Sequence, residues 1–477
     1  MKISPLLPRK NAQGSVLVVG LVIATILGLT LASYLVLTQR QHRSIVRSAT
    51  WGSSLSLSEA GVEEALAFIN KFAGTTTPLT NWSVYPSYSN DGWQKSGNVY
   101  QKSNTLDSTS GYYTVYVTNL NNAPAIFAVG AAPWQFSDAS SAPPFYASAG
   151  GQEVATAQPA PVVRRVFVQT RNTPIFAVAM AAIGQINLNG NNIATDSFDS
   201  GDPNYSVNGQ YPLGVLSKTK DNGTVVTLAT LVNSLSVGNA DIKGKVKTGP
   251  SGTVTIGSQG SVGSKTWVEG GNNGIEPGYS SDDFNVEFPS VQLPGGTWSA
   301  LPSTPNPKPV INGITYDTYF LASGNYQVSG LSGKVYIATN AQVTLHVTGN
   351  VGLSGQERVD ISPANASLTI YAAGSSFSTS GNAGINNLSK NAMAFALYGL
   401  PTCTSISLGG NAALSGTVYA PQAAFSLGGG GNNTYDFVGA SVTKTVTMNG
   451  HYNFHYDENI ARVGPSRGYV ATSWAEK

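Results

Sequence analysis

Apolar and polar positions divide the chain into three textures. The first is the run GSVLVVGLVIATILGLTLASYLVL, from Gly14 to Leu37, and no charged side chain occurs between Lys10 and Arg40. As a helix, Ser15 to Leu37 would extend about 35 Å, enough to cross a bilayer core of about 30 Å. The pattern then becomes amphipathic. LSLSEAGVEEALAFINKF places Leu55, Val62, Leu66 and Ile69 on one stripe, with Glu59, Glu63 and Glu64 off it. Gly74 is the expected stop. One helix from Ser15 to Phe72 would measure about 87 Å. A bend or frayed turn is expected at Thr50-Trp51-Gly52-Ser53-Ser54, since Gly and Ser weaken a helix outside lipid.

The second texture is alternation. SGYYTVYVTN, PAIFAVGA and VVRRVFVQTR read as strands rich in β-branched and aromatic residues. In the first, Tyr112, Thr114 and Tyr116 share one face and Tyr113, Val115 and Val117 the other. An antiparallel sheet laid on the amphipathic helix fits this pattern. The intervening stretch 131–161 is rich in Pro, Ala and Ser and reads as loop. Arg164 and Arg165 read as a solvated edge.

The third texture starts at Thr173, where short apolar alternations are broken by Gly and Asn. SISLGGN (405–411), AFSLGGG (424–430) and TVTMNGH (445–451) align with Leu408, Leu427 and Met448 in register. SGTVYAP (415–421) and DFVGAS (436–441) form a second series with Val418 over Val438. LHVTGN and LTIYAAG are less regular members. Two strand types recurring at about 20 residues are expected of a parallel β-helix, in which only stacking buries the core. A β-sandwich is the alternative. The expected fold is therefore mainly β with a long N-terminal α-helix: leader 1–14, helix 15–73, α+β head 74–172, parallel β-helix 173–460 and tail 461–477. HYNFHYDENIARV is expected to cap the last coil.

Composition sharpens this picture. Of the 477 residues, 10% are charged and 53 are Gly, which describes a polar but largely uncharged surface. Six of the 26 Lys/Arg lie in the first 47 residues and no acid precedes Glu59, so 20 cations face all 24 acids afterwards, a balance of −4. No basic patch points to nucleic acid. Cys403 is the only cysteine, which excludes an intramolecular disulfide, and it reads as a buried thiol.

The flank of the apolar run carries a family resemblance. MKISPLLPRKNAQG is short and basic and ends in Gly14 directly before the run, so the Gly14–Ser15 junction resembles a type IV prepilin leader. GSVLVVGLVIATILGLTL and SEAGVEEAL resemble the PilX-type minor pilins, and the closing FHYDE resembles bacterial surface proteins with that N-terminus. The resemblance covers about the first 70 and last 100 residues. It implies prepilin-peptidase cleavage between Gly14 and Ser15 and an inner-membrane helix with its N-terminus inside. It also implies assembly with other pilin subunits and their machinery into a type IV pilus or related secretion filament. Most pilins have Glu at the fifth mature position, which here is Val19, and its absence argues for a low-copy or tip subunit over the major one. Adhesion to surface glycans is the expected extension of a tip role. A plain signal anchor without processing is the alternative.

Candidate chemistry is sparse. Asp196, Asp199 and Asp202 in TDSFDSGDPNY form the best acidic cluster and the only calcium candidate, though without the EF-hand pattern; the alternative is a polar turn capping the start of the β-helix. Asp282, Asp283 and Glu287 form a second. His451 and His455, beside Tyr456, Asp457 and Glu458, suggest a metal or acid–base site, but on a strand residues i and i+4 lie about 13 Å apart. Capping hydrogen bonds suit them better. No catalytic motif occurs and no cofactor is expected. The rival class is a membrane-anchored or secreted β-helix enzyme or binding protein acting on polysaccharide.

Overall fold

The computed structural model describes residues 13–71, 91–107, 111–119, 123–133, 161–190, 192–303, 305–410, 413–429 and 434–477. It is mainly β with one long N-terminal helix. Its described residues divide into two units, one holding the chain up to residue 172 together with 469–477, the other holding 173–468.

The first unit is a helix on a sheet. Helix α1 (Gln13–Asn70) spans 58 residues without a break. No fraying occurs at 50–54, where Thr50 and Ser54 are buried by packing and the hydroxyls are satisfied within the helix: Thr50 Oγ1 donates to Val46 O at 2.9 Å, Ser53 Oγ to Ala49 O at 3.1 Å and Ser54 Oγ to Trp51 O at 2.9 Å. The expected stop at Gly74 lies outside the described residues. Strands β1 (Gln94–Ser96), β2 (Val99–Asp107), β3 (Gly111–Thr118), β4 (Ala125–Ala132) and β5 (Val162–Pro174) pair antiparallel in that order. Tyr113, Val115 and Val117 are buried, while Tyr112 is exposed.

The buried stripe of α1 is rotated from the expected one. Ser54, Leu57, Ser58, Gly61, Val62, Ala65, Phe68 and Ile69 are buried, whereas Leu55 and Leu66 are half-buried. Close backbone approach explains the shift. A Cβ on Gly130 would lie 2.2 Å from Ser54 O, so this part of the seam accepts only small residues. Gly130 N donates to Ser58 Oγ at 3.0 Å across the same contact.

The residues after 460, expected as a tail, carry structure instead. The strand Ser466–Glu476 follows β5 in the sheet order. Tyr469 N donates to Asn70 Oδ1 at 2.6 Å and Asn70 Nδ2 donates to Tyr469 O at 2.9 Å, which ties this strand to the end of α1. Arg164 is no solvated edge: its guanidinium pairs with Glu476 and lies over the Trp51 ring, 4.9 Å from the centroid.

In the second unit almost every strand pairs in parallel, and the pairs form three ladders. One runs through Gly324–Val328, Gln342–Val347, Ser367–Ala372 and Phe395–Gly399 to Thr417–Tyr419. Another runs through Val351–Leu353, Ser376–Thr379 and Ser405–Gly410. A third begins Thr318–Phe320, Lys334–Ile337, Arg358–Ile361 and Gly384–Asn387. Leu408 pairs with Leu427, and Leu427 with Met448. Val418 and Val438 do not stack as expected. Val418 pairs with Ser441 and Val438 with Ser415, because the offset between Leu414–Gly429 and Tyr435–Gly450 changes from 23 to 21 residues at the irregularity between Ala420 and Ala424.

Chain order and stacking order differ. The first strands of the unit, Met180–Ala182, Ile186–Asn187 and Ala194–Phe198, pair on the last ones, 441–443, 446–447 and Tyr452–Asp457. Later strands, from Val225–Thr227 to Ser280–Ser281, continue the stack beyond them. The expected capping role of HYNFHYDENIARV is therefore corrected: Tyr452–Asp457 is paired on both sides, by Tyr435–Gly439 and by Ala194–Phe198. The stretch expected as a capping turn opens instead as the strand Ala194–Phe198, which holds Asp196 and caps no end either.

Stacked apolar side chains fill this unit. Phe437 and Phe454 lie 4.5 Å apart in parallel planes, and both are buried. Such ring pairs add about 0.5–1.5 kcal/mol beyond their burial. Corners account for the Asn and Gly content. Asn192, Asn233, Asn340 and Asn365 all take positive φ, a region that Asn tolerates better than other side chains.

Candidate functional site

The sequence singles out Asp196 and His455 in two distant stretches, and the ladder register makes them direct partners. Phe437 and Phe454 point into the core, so Asp436, His455 and Asp196, one residue off in the alternation, share the opposite face. That face is nevertheless buried at the seam. The excursion between Phe198 and Val225 covers it, leaving His455 4% and Asp196 6% exposed.

The imidazole is held between two carboxylates. Nδ1 lies 2.5 Å from Asp196 Oδ1 and Nε2 lies 3.3 Å from Asp436 Oδ1. The Tyr211 ring stacks on it at 3.6 Å, and Tyr211 Oη donates to Asp196 Oδ2 at 2.8 Å. Burial works against the charged ring, but the Asp196 and Asp436 carboxylates outweigh it and push His455 up to about 9. At neutral pH it is an imidazolium that donates both N–H groups. Burial opposes ionisation of Asp436 too, yet the bond from His455 holds its carboxyl below the usual range. Burial, then the Asp196 charge, raises Tyr211, which stays a neutral donor.

The remaining candidates close the same seam. Glu458 accepts from Ser197 Oγ at 2.8 Å and Asn222 Nδ2 at 2.7 Å, and pairs with Lys220. Asp457 Oδ1 accepts from Ser200 N at 3.0 Å and Asn459 N at 3.1 Å; burial raises its carboxyl. Asp199 pairs with Arg462, and that contact with the Gly201 N–H overcomes burial to lower it. Tyr456 Oη donates to Phe176 O at 2.8 Å. Asp202 stays in its own turn, with Oδ1 accepting from Asn204 N at 2.8 Å.

Chemically this is a clamp. Both nitrogens of His455 are donors to carboxylates, so neither has a lone pair to bind a metal or to accept a proton. Asp196, Asp199 and Asp202 each serve a different partner, and among the described residues no group of three or more His, Cys, Asp or Glu could hold a metal ion. His451 stands apart, lining an open polar groove with Asn192, Asn239 and Gln259. Asp283 accepts from Ser281 Oγ at 2.7 Å at the exposed surface. Cys403 is buried and its thiol is pushed up by that burial, which leaves it inert.

Beside the clamp lies a pocket of about 280 Å³, walled by Tyr211, Leu213, Asn386, Leu388, Lys390 and Asp436 among others. Sequence reasoning missed Tyr211, Lys390 and Asp436. No spacing links them, because an excursion carries Tyr211 and a turn carries Lys390 to a strand that holds Asp436. The only usable signal was Tyr211 beside Pro212, which marks an excursion rather than a site.

At the other end of the chain, Gly14 and Ser15 lie in the first turn of α1. The rest of the leader, 1–12, is outside the described residues. Val19 is 55% exposed, and Val16 to Leu37 form an apolar surface that none of the described residues covers. With a mean hydropathy of 2.5 over its most apolar window, the helix is long and apolar enough to cross a membrane.

These features define a mainly β protein with parallel ladders and one N-terminal helix of membrane-spanning character. Residues 303–463 match a family described as a domain of unknown function (DUF7305). A search of curated proteins finds no match. Among solved structures the chain is similar to the competence-associated pilin ComZ from Thermus thermophilus, at 11% identity, covering 90% of this chain and 97% of that one. The TM-score of 0.26 is too low to establish a shared fold.

Proposed function

We propose that the protein is a non-enzymatic, pilin-like structural subunit. One observation carries this reading: a single unbroken helix exposes an apolar half, Val16 to Leu37, and packs its other half under antiparallel strands. The first half anchors the subunit in the inner membrane and bundles with the same helix of neighbouring subunits; the second half supports the head. In this reading prepilin peptidase cuts between Gly14 and Ser15, and Val19 in place of Glu assigns a minor, low-copy position. The three ladders are the faces of a parallel β-helix carried outside the filament. Bulk of that size suits a tip, with surface glycans as the adhesive target. The engagement of Asp196, Asp199, Asp457 and Glu458 in the seam supports a structural role over hydrolysis of polysaccharide.

The test is the N-terminal sequence and mass of the protein from its native membrane or sheared-filament fraction. A mature chain starting at Ser15 and present in filaments is expected. An intact Met1 confined to the membrane would overturn the reading.

A further inference from the structure

The pocket beside the clamp is built from rigid parts. Tyr211 is held by the stack on His455, the bond to Asp196 and an edge contact with Phe198 at 5.5 Å. Gln210 Nε2 donates to Ser389 O at 3.1 Å, which ties the Tyr211 excursion to the opposite wall. That wall, 387–391, is fixed by Asn387, whose Nδ2 donates to Asn391 O at 2.6 Å and to Ser415 O at 3.0 Å. Walls set in advance lower the ordering cost of binding.

Its chemistry is uneven in an informative way. Asp436 already faces the His455 cation and accepts from Asn453 Nδ2 at 3.3 Å, so its charge is largely spent. Lys390 makes no hydrogen bond or ion pair through its ammonium among the described residues, stands exposed at the rim, and acts at longer range on Asp436, whose carboxyl it helps to hold down. Its backbone is unusual as well. Of the nine described non-Gly residues with positive φ, seven are Asn and one is Ser, and Lys390, at φ 54°, is the one with a charge. A strained position that carries a charge into a pocket points to use, since a polar turn alone would be met by Asn or Gly. Tyr211, Leu213 and Leu388 supply apolar surface, while Asn386 Oδ1 and Ser415 Oγ are acceptors without a partner among the described residues.

We infer that this pocket binds a carboxylate-bearing monosaccharide, free or as the terminal residue of a longer glycan. The sugar's C–H face lies on Tyr211 and Leu388, its hydroxyls reach Asn386 and Ser415, and its carboxylate meets Lys390. The inference deepens the glycan part of the reading above and does not need filament assembly.

The full chain, purified in detergent micelles, is titrated with N-acetylneuraminic acid and galacturonic acid by calorimetry and saturation-transfer NMR. Methyl galactoside and acetate are the comparisons. At least one acidic sugar is expected to bind, with methyl galactoside and acetate each about tenfold weaker or worse. Lys390→Asn, which suits a positive φ and keeps the fold, is expected to weaken the acidic sugar by about tenfold without lowering Tm, and Lys390→Arg to retain most of it. Silence of both acidic sugars, equal binding of the neutral sugar, acetate competing as well as the sugars, or indifference to Lys390→Asn would each overturn the site. Failure of the pilin reading shows separately, as an intact Met1 in a protein that still binds sugar.

Discussion

His455 Nδ1 and Asp196 Oδ1 meet at 2.5 Å across 259 residues of chain. Their bond joins the first strands of the parallel unit to the last, with Asp436 on the other side of the ring at 3.3 Å. Removing Asp196 breaks the shorter arm of this buried bridge and leaves His455 with Asp436 as its one carboxylate partner, which costs more than the intact pair contributes. Asp196→Asn is therefore expected to destabilise this unit by about 3 kcal/mol. Urea unfolding followed through the aromatic signal of the unit checks it. A loss below about 0.5 kcal/mol, the size of a surface pair, would show that the bridge holds nothing.

The same bridge sets a pH dependence. The groups facing His455 are Asp196, Asp436 and the neutral Tyr211, and its pKa of about 9 in the fold lies above its unfolded value of about 6.5. A raised pKa gives stabilisation that is complete below about pH 6.5 and is lost as pH rises through about 9. Asp436 runs the opposite way: held below its ordinary value of about 3.8, it contributes above that pH and loses the contribution on acidification. The urea midpoint is expected to fall between about pH 6.5 and pH 9 in the native chain and to stay flatter there in His455→Gln. Equal slopes in the two proteins would remove the imidazolium from the account.

Much of this fold was legible in the sequence, and the reason is locality. The uncharged run and the amphipathic stripe fix α1 because a helix repeats every few residues, and the stack of Leu408, Leu427 and Met448 followed from neighbouring repeats of one turn chemistry. Leu55 and Leu66 misled because the stripe was read from apolarity alone, whereas the close contact at Gly130 selects Ser54 and Ser58. The pairing of Ala194–Phe198 with Tyr452–Asp457 was not legible, since no local period links them. Asp196 and His455 were each noticed, but as separate sites, and Tyr211 and Lys390 acquire meaning only when two loops meet.

Two glycines of the first unit separate close approach from helix propensity. A Cβ on Gly130 would press on Ser54 O at 2.2 Å, while one on Gly52 would meet nothing within 4 Å. Gly130→Ala is expected to lift the sheet from α1 and cost about 2 kcal/mol or more, and Gly52→Ala to stabilise the helix by up to about 1 kcal/mol. Thermal unfolding with amide exchange across 54–69 reads both. If the two variants changed protection alike, the close contact would not be what holds the helix on the sheet.

Chain order makes a further demand on the parallel unit. Strands Met180–Ala182 and Ala194–Phe198 have two neighbours each, and for both strands one of them comes from residues 435–457. A fragment of residues 173–283 keeps the later partners but loses this one, and it exposes the open edge of every ladder together with Asp196, its cation gone. Unpaired parallel edges invite aggregation, and these short stacked strands bury their core only against neighbours. The fragment is expected to be unfolded or aggregated alone and to become soluble when mixed during refolding with residues 284–468, the two then purifying together. Circular dichroism and co-elution provide the readout. A fragment 173–283 that folded by itself, with protected amides from 180 to 198, would mean that these strands need no partner from the C-terminal part of the chain, and that the Asp196–His455 bridge fastens two halves already formed.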